Sequence, residues 1–199
     1  MTCLIHIESS PRKEKSISSQ VAAAFIQEYK NSHPDDELKH IDLWNLDMPD
    51  LDDKLISAHR ATIKGKAVDS TSLKLWKKTE KLIKDFKSAD KYLFSVPMWN
   101  FSIPYKLKHY LDLIVQEKYT YDFKDGSFQG LITGRPAVMI YARADIYEES
   151  EDMQKNYMEK ILRFIGFENF ISIFVEPNSH GEDFRQKAIL LAKNIAKDF

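Results

Sequence analysis

The chain has 199 residues, enough for one α/β domain with a well-filled core and too few for two comfortable ones. Hydrophobic residues make up 43% of it and aromatic residues 12%, which is typical of a folded globular protein and not of a disordered one. The formal net charge of −1, from 29 basic and 30 acidic side chains, argues against a general nucleic-acid binder and against a strongly acidic electron carrier.

Cysteine content and hydropathy predict the compartment. The single cysteine, Cys3, excludes an internal disulfide and fits a reducing environment. The first ten residues become polar too early for a signal peptide, and no apolar run approaches the roughly 20 residues that span a bilayer. We therefore expect a cytoplasmic protein that does not enter the membrane. The six histidines lack metal-site spacing, so no metal is predicted.

The first predicted strand, residues 3–7, leads into a loop rich in hydroxyl and basic side chains. A helix follows and runs to about Asn31, with Ser16 or Ser18 as its expected cap. A strand, a hydroxyl-rich loop and a helix N-terminus form a suitable site for a phosphate monoester. The alternative is ordinary capping beside a solvated basic loop. Neither G-x-G-x-x-G nor a P-loop motif is present, so a dinucleotide fingerprint is not supported.

The central stretch begins with a buried strand, Tyr92–Val96, which stops at Pro97. The loop that follows contains Trp99, Asn100 and Phe101, a carboxamide between two large aromatic side chains. This combination suits a flat heteroaromatic ligand, because the rings supply apolar contact and the amide can donate and accept at a polar ring edge. The alternative is a loop whose aromatic side chains cap the sheet core.

The remaining elements are predicted from apolar periodicity and from turn residues. Before the central stretch they are a strand at 38–43 and helices at 53–66 and 72–87. After it come a helix that follows Pro104 and an aromatic hairpin insert at about 117–135, which turns at Asp125-Gly126. The rest are a strand at 137–141 with the loop 142–145, a helix at 150–165 with Met153 facing inward and Gly166 ending it, a strand at 171–175, and a closing helix at 181–197 with Leu191 on its buried face.

Strands alternate with helices along the chain, which predicts a parallel sheet with helices on both faces. For five strands the flavodoxin-like three-layer sandwich, with strand order 2-1-3-4-5, is the natural choice. Its switch point lies between strands 1 and 3. The hydroxyl-rich loop follows strand 1 and the Trp-Asn-Phe loop follows strand 3, so both flank the crevice where this topology binds a mononucleotide. We expect residues 1–199 to form a single domain.

Three motifs in order, S-S-P-R-x-x-x-S-x-S, V-P-M-W-N-F-S-I-P-x-x-L-K-x-Y-L-D and G-L-I-T-G-R-P-A, resemble the FMN-dependent NADH azoreductase family, also called the FMN-dependent NADH:quinone oxidoreductases. The resemblance implies a flavodoxin-like homodimer with one FMN per subunit near the dimer interface. It also implies two-electron, ping-pong transfer from NADH or NADPH through FMN to quinones and azo compounds.

The same resemblance implies which residues bind the cofactor. Those at the phosphate are Ser10, Ser16, Ile17 and Ser18; those at the isoalloxazine ring are Pro97, Met98, Trp99, Asn100 and Phe101; those in the loop after the fourth strand are Ala142, Arg143, Ala144 and Asp145. Tyr121 and Trp99 are the residues expected to face the substrate. No side chain is needed as acid or base. Family members usually have Ser-Arg-Gly-Gly in that last loop, and the added Cβ atoms and the charge of Asp145 bear on cofactor affinity.

Two other functions can be considered from the residues. One is a flavin-binding electron carrier or redox sensor with little turnover, against which the near-neutral charge and the long hairpin count. The other is a hydrolase on the same fold, which would need a G-x-S-x-G elbow that this sequence lacks. Ser179 and His180 are neighbours in a Pro/Asn-rich turn and do not supply such a site.

Overall fold

A computed structural model describes residues 1–177 and 183–199 of the chain. Its strands are β1 (Cys3–Glu8), β2 (Glu37–Asp42), β3 (Lys91–Pro97), β4 (Tyr121–Lys124), β5 (Ser127–Gly130), β6 (Ala137–Ala142) and β7 (Phe170–Val175). Its helices are α1 (Ile17–Ser32), α2 (Asp53–Ile63), α3 (Ser70–Lys87), α4 (Tyr105–Ile114), α5 (Met153–Phe164) and α6 (Phe184–Asp198). Ser179, His180 and the predicted helix start at residue 181 lie outside the described residues.

Five parallel strands form the main sheet in the order β2-β1-β3-β6-β7, with β2 at one edge and β7 at the other. Because β4 and β5 form a separate two-stranded sheet, the five main strands follow the predicted order 2-1-3-4-5. That prediction is confirmed. The carboxyl ends of β1, β3 and β6 are adjacent, so the loops after them share one edge of the sheet.

The core consists of two apolar layers, one on each face of the sheet. Leu4, Leu93 and Val138 face α1 and α6, whereas Ile5, Phe94 and Met139 face the layer of α3, α4 and α5. Neighbouring residues of a strand point to opposite faces, so strands covered on both faces read as continuous apolar runs. Helices on both faces were predicted, and the structure confirms them.

Two residues predicted to be buried are largely exposed. Met153 is 62% exposed because it is the first residue of α5, and the inward face of that helix begins with Gln154 and Met158. Leu191 is 46% exposed because α6 packs on α1 through Ala188, Ala192 and Ala196, which are fully buried or nearly so. Both predictions were wrong.

The predicted hairpin is present in β4 and β5 and turns at Asp125 and Gly126, whose φ angles of 52° and 78° fit a type I′ turn. The hairpin ends against the C-terminus of α5. A Cβ atom on Gly130 would lie 2.2 Å from the backbone nitrogen of Gly166, so the two backbones touch directly. Gly166 follows the helix with φ 113°, as a helix-ending glycine does.

Candidate functional site

A cleft of about 360 Å³ opens at the carboxyl edge of the sheet, between the loops after β1, β3 and β6. Predicted cofactor residues from all three loops line it: Ser10, Ser16 and Ile17 from the first, Pro97, Met98 and Trp99 from the second, and Ala142, Arg143 and Ala144 from the third. These segments are far apart in sequence, and the strand order alone brings them together. The volume lies within the usual range for cofactor sites.

The N-terminus of α1 forms one end of this cleft. Ser16 occupies the N-cap position, as expected, but its hydroxyl meets the Ser18 hydroxyl at 3.0 Å and makes no capping hydrogen bond to a first-turn N–H. In contrast, α2, α3, α5 and α6 begin with aspartates that accept bonds from first-turn N–H groups: Asp52, Asp69, Asp152 and Asp183. The uncapped first turn of α1 therefore offers N–H donors and a positive dipole end to an anion.

Arg12 also lines this end of the cleft, and its backbone N–H donates to the Ser10 hydroxyl at 3.3 Å. Arg12 stands in the first of the three motifs but was not among the residues predicted to bind the cofactor. Its exposed side chain adds a positive charge to this end of the cleft. Val175, Pro177 and Phe184 complete the wall and were also missed, because strand 5 and the last helix carried no recognisable site motif.

The loop after β3 is a tight reverse turn. Trp99 and Ser102 exchange backbone hydrogen bonds of 2.8 and 3.0 Å, and the two residues between them have positive φ angles, 47° at Asn100 and 67° at Phe101. Such angles are unfavourable for a bulky side chain and concentrate at functional sites. The Met98 N–H donates to the Ala142 carbonyl at 2.8 Å, which fixes the base of the turn against the β6 loop.

The tip of this turn points away from the core. Phe101 is 63% exposed and packs edge-on against Tyr147, so it does not cap the sheet. Asn100 lines a neighbouring cavity of about 400 Å³ together with Trp99 and Tyr105. Trp99, 36% exposed, belongs to the walls of both cavities. Ser18 is buried behind Ser16. Asp145 is exposed, and its carboxylate accepts from the N–H of Ile146.

Arg143 is the most strongly anchored residue of the β6 loop. Its guanidinium forms ion pairs with Asp152 and with Glu176 and stacks over the Phe174 ring at 4.4 Å. Burial disfavours its charged form, but the bonds to the two carboxylates outweigh this and raise the pKa of Arg143. Its charge is therefore already neutralised by protein groups. In the cleft wall Arg143 fixes the loop, because its guanidinium is paired with two carboxylates and its backbone N–H donates to the Val175 carbonyl at 3.0 Å.

Tyr121 lies on the hairpin, where its ring contacts Phe164 of α5 at 4.7 Å and Phe128 at 5.9 Å. Within one copy of the described chain it forms part of this aromatic cluster and not of the cleft wall. Over residues 1–177 and 183–199, no group of three or more His, Cys, Asp and Glu side chains is arranged to hold a metal ion. None of the described helices is long and apolar enough to cross a bilayer.

Comparisons with known proteins agree with this architecture. A family model described as having the flavodoxin-like fold matches residues 2–198. An FMN-dependent NADH:quinone oxidoreductase of Desulfotalea psychrophila is 41% identical over 97% of this chain and 93% of its own length. A protein of Burkholderia lata, FMN-dependent NADH:quinone oxidoreductase 9, is 40% identical over the full length of both chains.

Solved structures show the same fold. An azoreductase from Bacillus anthracis superposes with a TM-score of 0.93 over the whole of both chains at 24% identity. An FMN-dependent NADH-azoreductase of the same species, solved with FMN, superposes with a TM-score of 0.90 at 23% identity. That match covers 100% of this chain and 99% of the azoreductase. The chain therefore has a flavodoxin-like fold. It belongs to the family of the FMN-dependent NADH:quinone oxidoreductases, as the sequence motifs predicted.

Proposed function

We propose that this protein is an FMN-dependent oxidoreductase that passes electrons from NADH or NADPH to quinones and azo compounds. The observation that carries the proposal is the cleft in which the α1 N-terminus and the Pro97–Trp99 segment face each other. Two relatives that share at least 40% of its residues over nearly the whole chain are named FMN-dependent NADH:quinone oxidoreductases. When bound, FMN would supply the two-electron chemistry, and the protein contributes position and electrostatics.

The donor set of the cleft fits FMN. Ser10, Ser16, Ile17 and Ser18, with Arg12, would hold the phosphate, because uncapped N–H groups, hydroxyls and a guanidinium converge there. Trp99 would pack at the ring, and the backbone between Trp99 and Phe101 would face its polar edge. The Ala142–Asp145 segment would close the opposite side. Here Ala144 and Asp145 keep the backbone further from a ring than glycines would.

We further propose a homodimer. Tyr121, the aromatic residue expected near the substrate, packs on Phe164 and lies outside the cleft wall of its own chain. On the same hairpin Phe123 is 51% exposed and Phe128 is 62% exposed, and a second copy of the chain would cover both rings. In such a dimer Tyr121 of one copy would face the cleft of the other. Sedimentation equilibrium of the loaded protein tests this, and a monomer at micromolar concentration would contradict it.

We also propose that residues 1–199 form one domain located in the cytoplasm. In support, the strands of one sheet span residues 3 to 175, and the only cysteine, Cys3, is a buried free thiol. A free thiol fits a reducing compartment. Expression of the chain with a fluorescent tag in a bacterial host, followed by cell fractionation, tests the location.

Purification with a visible spectrum tests the central proposal. The protein should be yellow, should release FMN and not FAD on denaturation, and should oxidise NADH in the presence of a benzoquinone and of an azo dye. Parallel lines in double-reciprocal plots would support the ping-pong order. An FMN-loaded protein that binds NADH without turnover would favour an electron carrier or sensor.

A charge variant tests the phosphate end separately. Ser16→Asp places a carboxylate beside the expected phosphate and should abolish FMN retention. Ser70→Asp, the matched control, places the same charge at the N-terminus of α3, outside the cleft, and should leave FMN bound. Equal FMN content in both variants would contradict the placement of the phosphate.

A further inference from the structure

Two cross-strand pairs of polar residues replace apolar core residues at the carboxyl ends of β1 and β2, on the sheet face that α1 covers. Along the two paired strands, Leu4 lies beside Leu38, then His6 beside His40, then Glu8 beside Asp42. Leu4 belongs to the apolar layer under α1 and α6, yet His6 and Glu8 are only 5% and 7% exposed. Burying a carboxylate costs free energy unless it is paired and hydrogen-bonded. The buried Glu8 carboxylate therefore needs compensating contacts.

The Glu8 carboxylate binds two different elements. One oxygen accepts a hydrogen bond from the Ser19 hydroxyl at 2.6 Å, and the other accepts from His40 Nε2 at 3.2 Å. The His40 bond lowers the pKa of Glu8 to about 2, with help from Ser19 and against the effect of burial, so the group is ionised at neutral pH. The His40 ring stacks on His6, with centroids 5.0 Å apart and planes 10° apart, which fixes its position.

These contacts tie Glu8 to both segments of the phosphate end. Ser19 lies in the first turn of α1, two residues after Ile17. Glu8 directly precedes Ser9, whose N–H and hydroxyl both donate to the Ser95 carbonyl, at 3.3 and 2.8 Å. Ser95 is in turn joined to His6 through its hydroxyl at 2.9 Å. The helix start and the Ser9-Ser10 loop are thus held to the sheet through one buried polar network.

We propose that Glu8 is a positioning residue for the phosphate end of the cleft. Its carboxylate holds the first turn of α1 against β1, so that the N–H groups of Ile17 and Ser18 and the hydroxyl of Ser10 converge on one phosphate. Glu8 is bonded to Ser19 and does not line the cleft, so it acts on a bound phosphate through helix α1 and not by direct contact. The inference rests on the proposed FMN function.

Comparison of two flavins tests the role, because riboflavin lacks the phosphate and otherwise matches FMN. Fluorescence quenching of each flavin by the full chain, freed of bound flavin, gives the ratio of the riboflavin to the FMN dissociation constant. Glu8→Ala should lower this ratio about tenfold and leave riboflavin affinity unchanged, since an unrestrained helix turn aligns its donors poorly. Ser19→Ala removes the same bond from the other side and should act in the same direction, even if Glu8→Ala fails to fold.

Three further variants separate positioning from general stability. Glu8→Gln keeps an acceptor for Ser19 and removes the charge, so its ratio should stay at or above the native value. The double variant Glu8→Ala with Ser19→Ala should lower the ratio no further than Glu8→Ala alone. Tyr29→Phe is the matched control, because it removes a 2.8 Å hydrogen bond from the opposite end of α1 to Asp36, and it should leave the ratio unchanged.

Other outcomes would overturn the inference. If Glu8→Ala and Ser19→Ala both weaken the binding of FMN and of riboflavin by the same factor, the role of Glu8 is structural only. A ratio that falls as far in Glu8→Gln as in Glu8→Ala would mean that the hydrogen bond to Ser19 is not what acts. If the native chain itself binds FMN no more tightly than riboflavin, the proposed cofactor site fails, and the inference fails with it.

Discussion

Arg143 and Asp152 form an ion pair in the interior of the protein, with side chains only 4% and 3% exposed. Arg143 directly follows β6 and Asp152 caps α5, so the pair joins the cleft wall to that helix. A second carboxylate, Glu176 after β7, bonds the same guanidinium at 2.5 Å. Removal of the arginine would leave the buried Asp152 carboxylate, and the Glu176 carboxylate that is 23% exposed, without their cation.

Arg143→Met should therefore destabilise the protein strongly. The expected loss is about 3–5 kcal/mol of the free energy of unfolding, because an unpaired buried charge costs far more than the pair contributes. Urea unfolding measures it. Lys108→Met is the control, because Lys108 and Asp112 form an ion pair whose side chains are 48% and 35% exposed. Loss of that pair should cost under about 1 kcal/mol of the free energy of unfolding. Equal losses in the two variants would contradict this assignment.

Phe101→Gly should stabilise the protein, and urea unfolding measures the gain. Phe101 has φ 67°, which costs a side-chain-bearing residue about 1–2 kcal/mol and a glycine nothing. After the greater entropy of an unfolded glycine is subtracted, a gain of about 0.5–1 kcal/mol remains. The matched control is Phe128→Gly, an equally exposed phenylalanine in an ordinary strand, which should lose stability. The same sign in both variants would refute backbone strain at Phe101.

His6 should make the fold sensitive to mild acid. Burial, aided by neighbouring His40 and opposed by Glu8, lowers the pKa of His6 from 6.5 to about 3. Between these values the unfolded chain binds a proton that the folded chain does not, so stability is complete above pH 6.5 and falls as pH decreases. From pH 7 to pH 5 the loss should be about 2 kcal/mol. Glu8 titrates below this range, because its pKa values are 4.5 unfolded and about 2 folded.

His6→Asn tests this dependence, because asparagine can still bond Ser95 but does not titrate. The difference in the free energy of unfolding between pH 7 and pH 5, measured by urea unfolding, should be about 2 kcal/mol smaller than in the native protein. His33→Asn, at the far end of α1, should keep the native difference. An unchanged difference in His6→Asn would exclude His6 as the source.

Gly130→Ala should dislodge the hairpin from α5. The new methyl group would lie 2.2 Å from the Gly166 nitrogen, so one backbone must move, at a cost of about 1–3 kcal/mol. Tyr121 would then separate from Phe164, which hydrogen exchange of residues 121–130 would detect. Gly126→Asn, at the open turn, should change stability by less than about 0.5 kcal/mol, because asparagine tolerates positive φ. Similar exchange rates in both variants would contradict the close contact.

The sequence predicted the strand order and the meeting of the two loops because both follow from local features. Each buried strand is a continuous apolar run, and the alternation of strands and helices leaves few topologies. The cleft residues Ser10 and Trp99 were found because their loops leave adjacent parallel strands at the same edge.

What sequence reasoning missed depends on contacts between distant segments. Arg143 has Glu176 as a partner 33 residues away, and no local pattern indicates that pair. His6 and Glu8 were part of an apolar strand and its following loop in the sequence, and their polar network appears only when β2 supplies His40. Ser16 is the N-cap residue as predicted, but the expected capping bond is absent because its hydroxyl has a competing partner in Ser18. Each error arises where tertiary packing decides between local alternatives.

The two edges of the sheet differ in a way that affects aggregation. β2 carries Glu37 and Lys39, and such charges discourage the addition of a foreign strand. β7, Phe170–Val175, has six uncharged residues rich in phenylalanine and isoleucine, a composition typical of segments that stack into fibrils. Helix α6 packs on this strand. Detachment of α6 would expose the apolar face of this edge strand to other chains, so fibrillar precipitation of this protein should begin at β7.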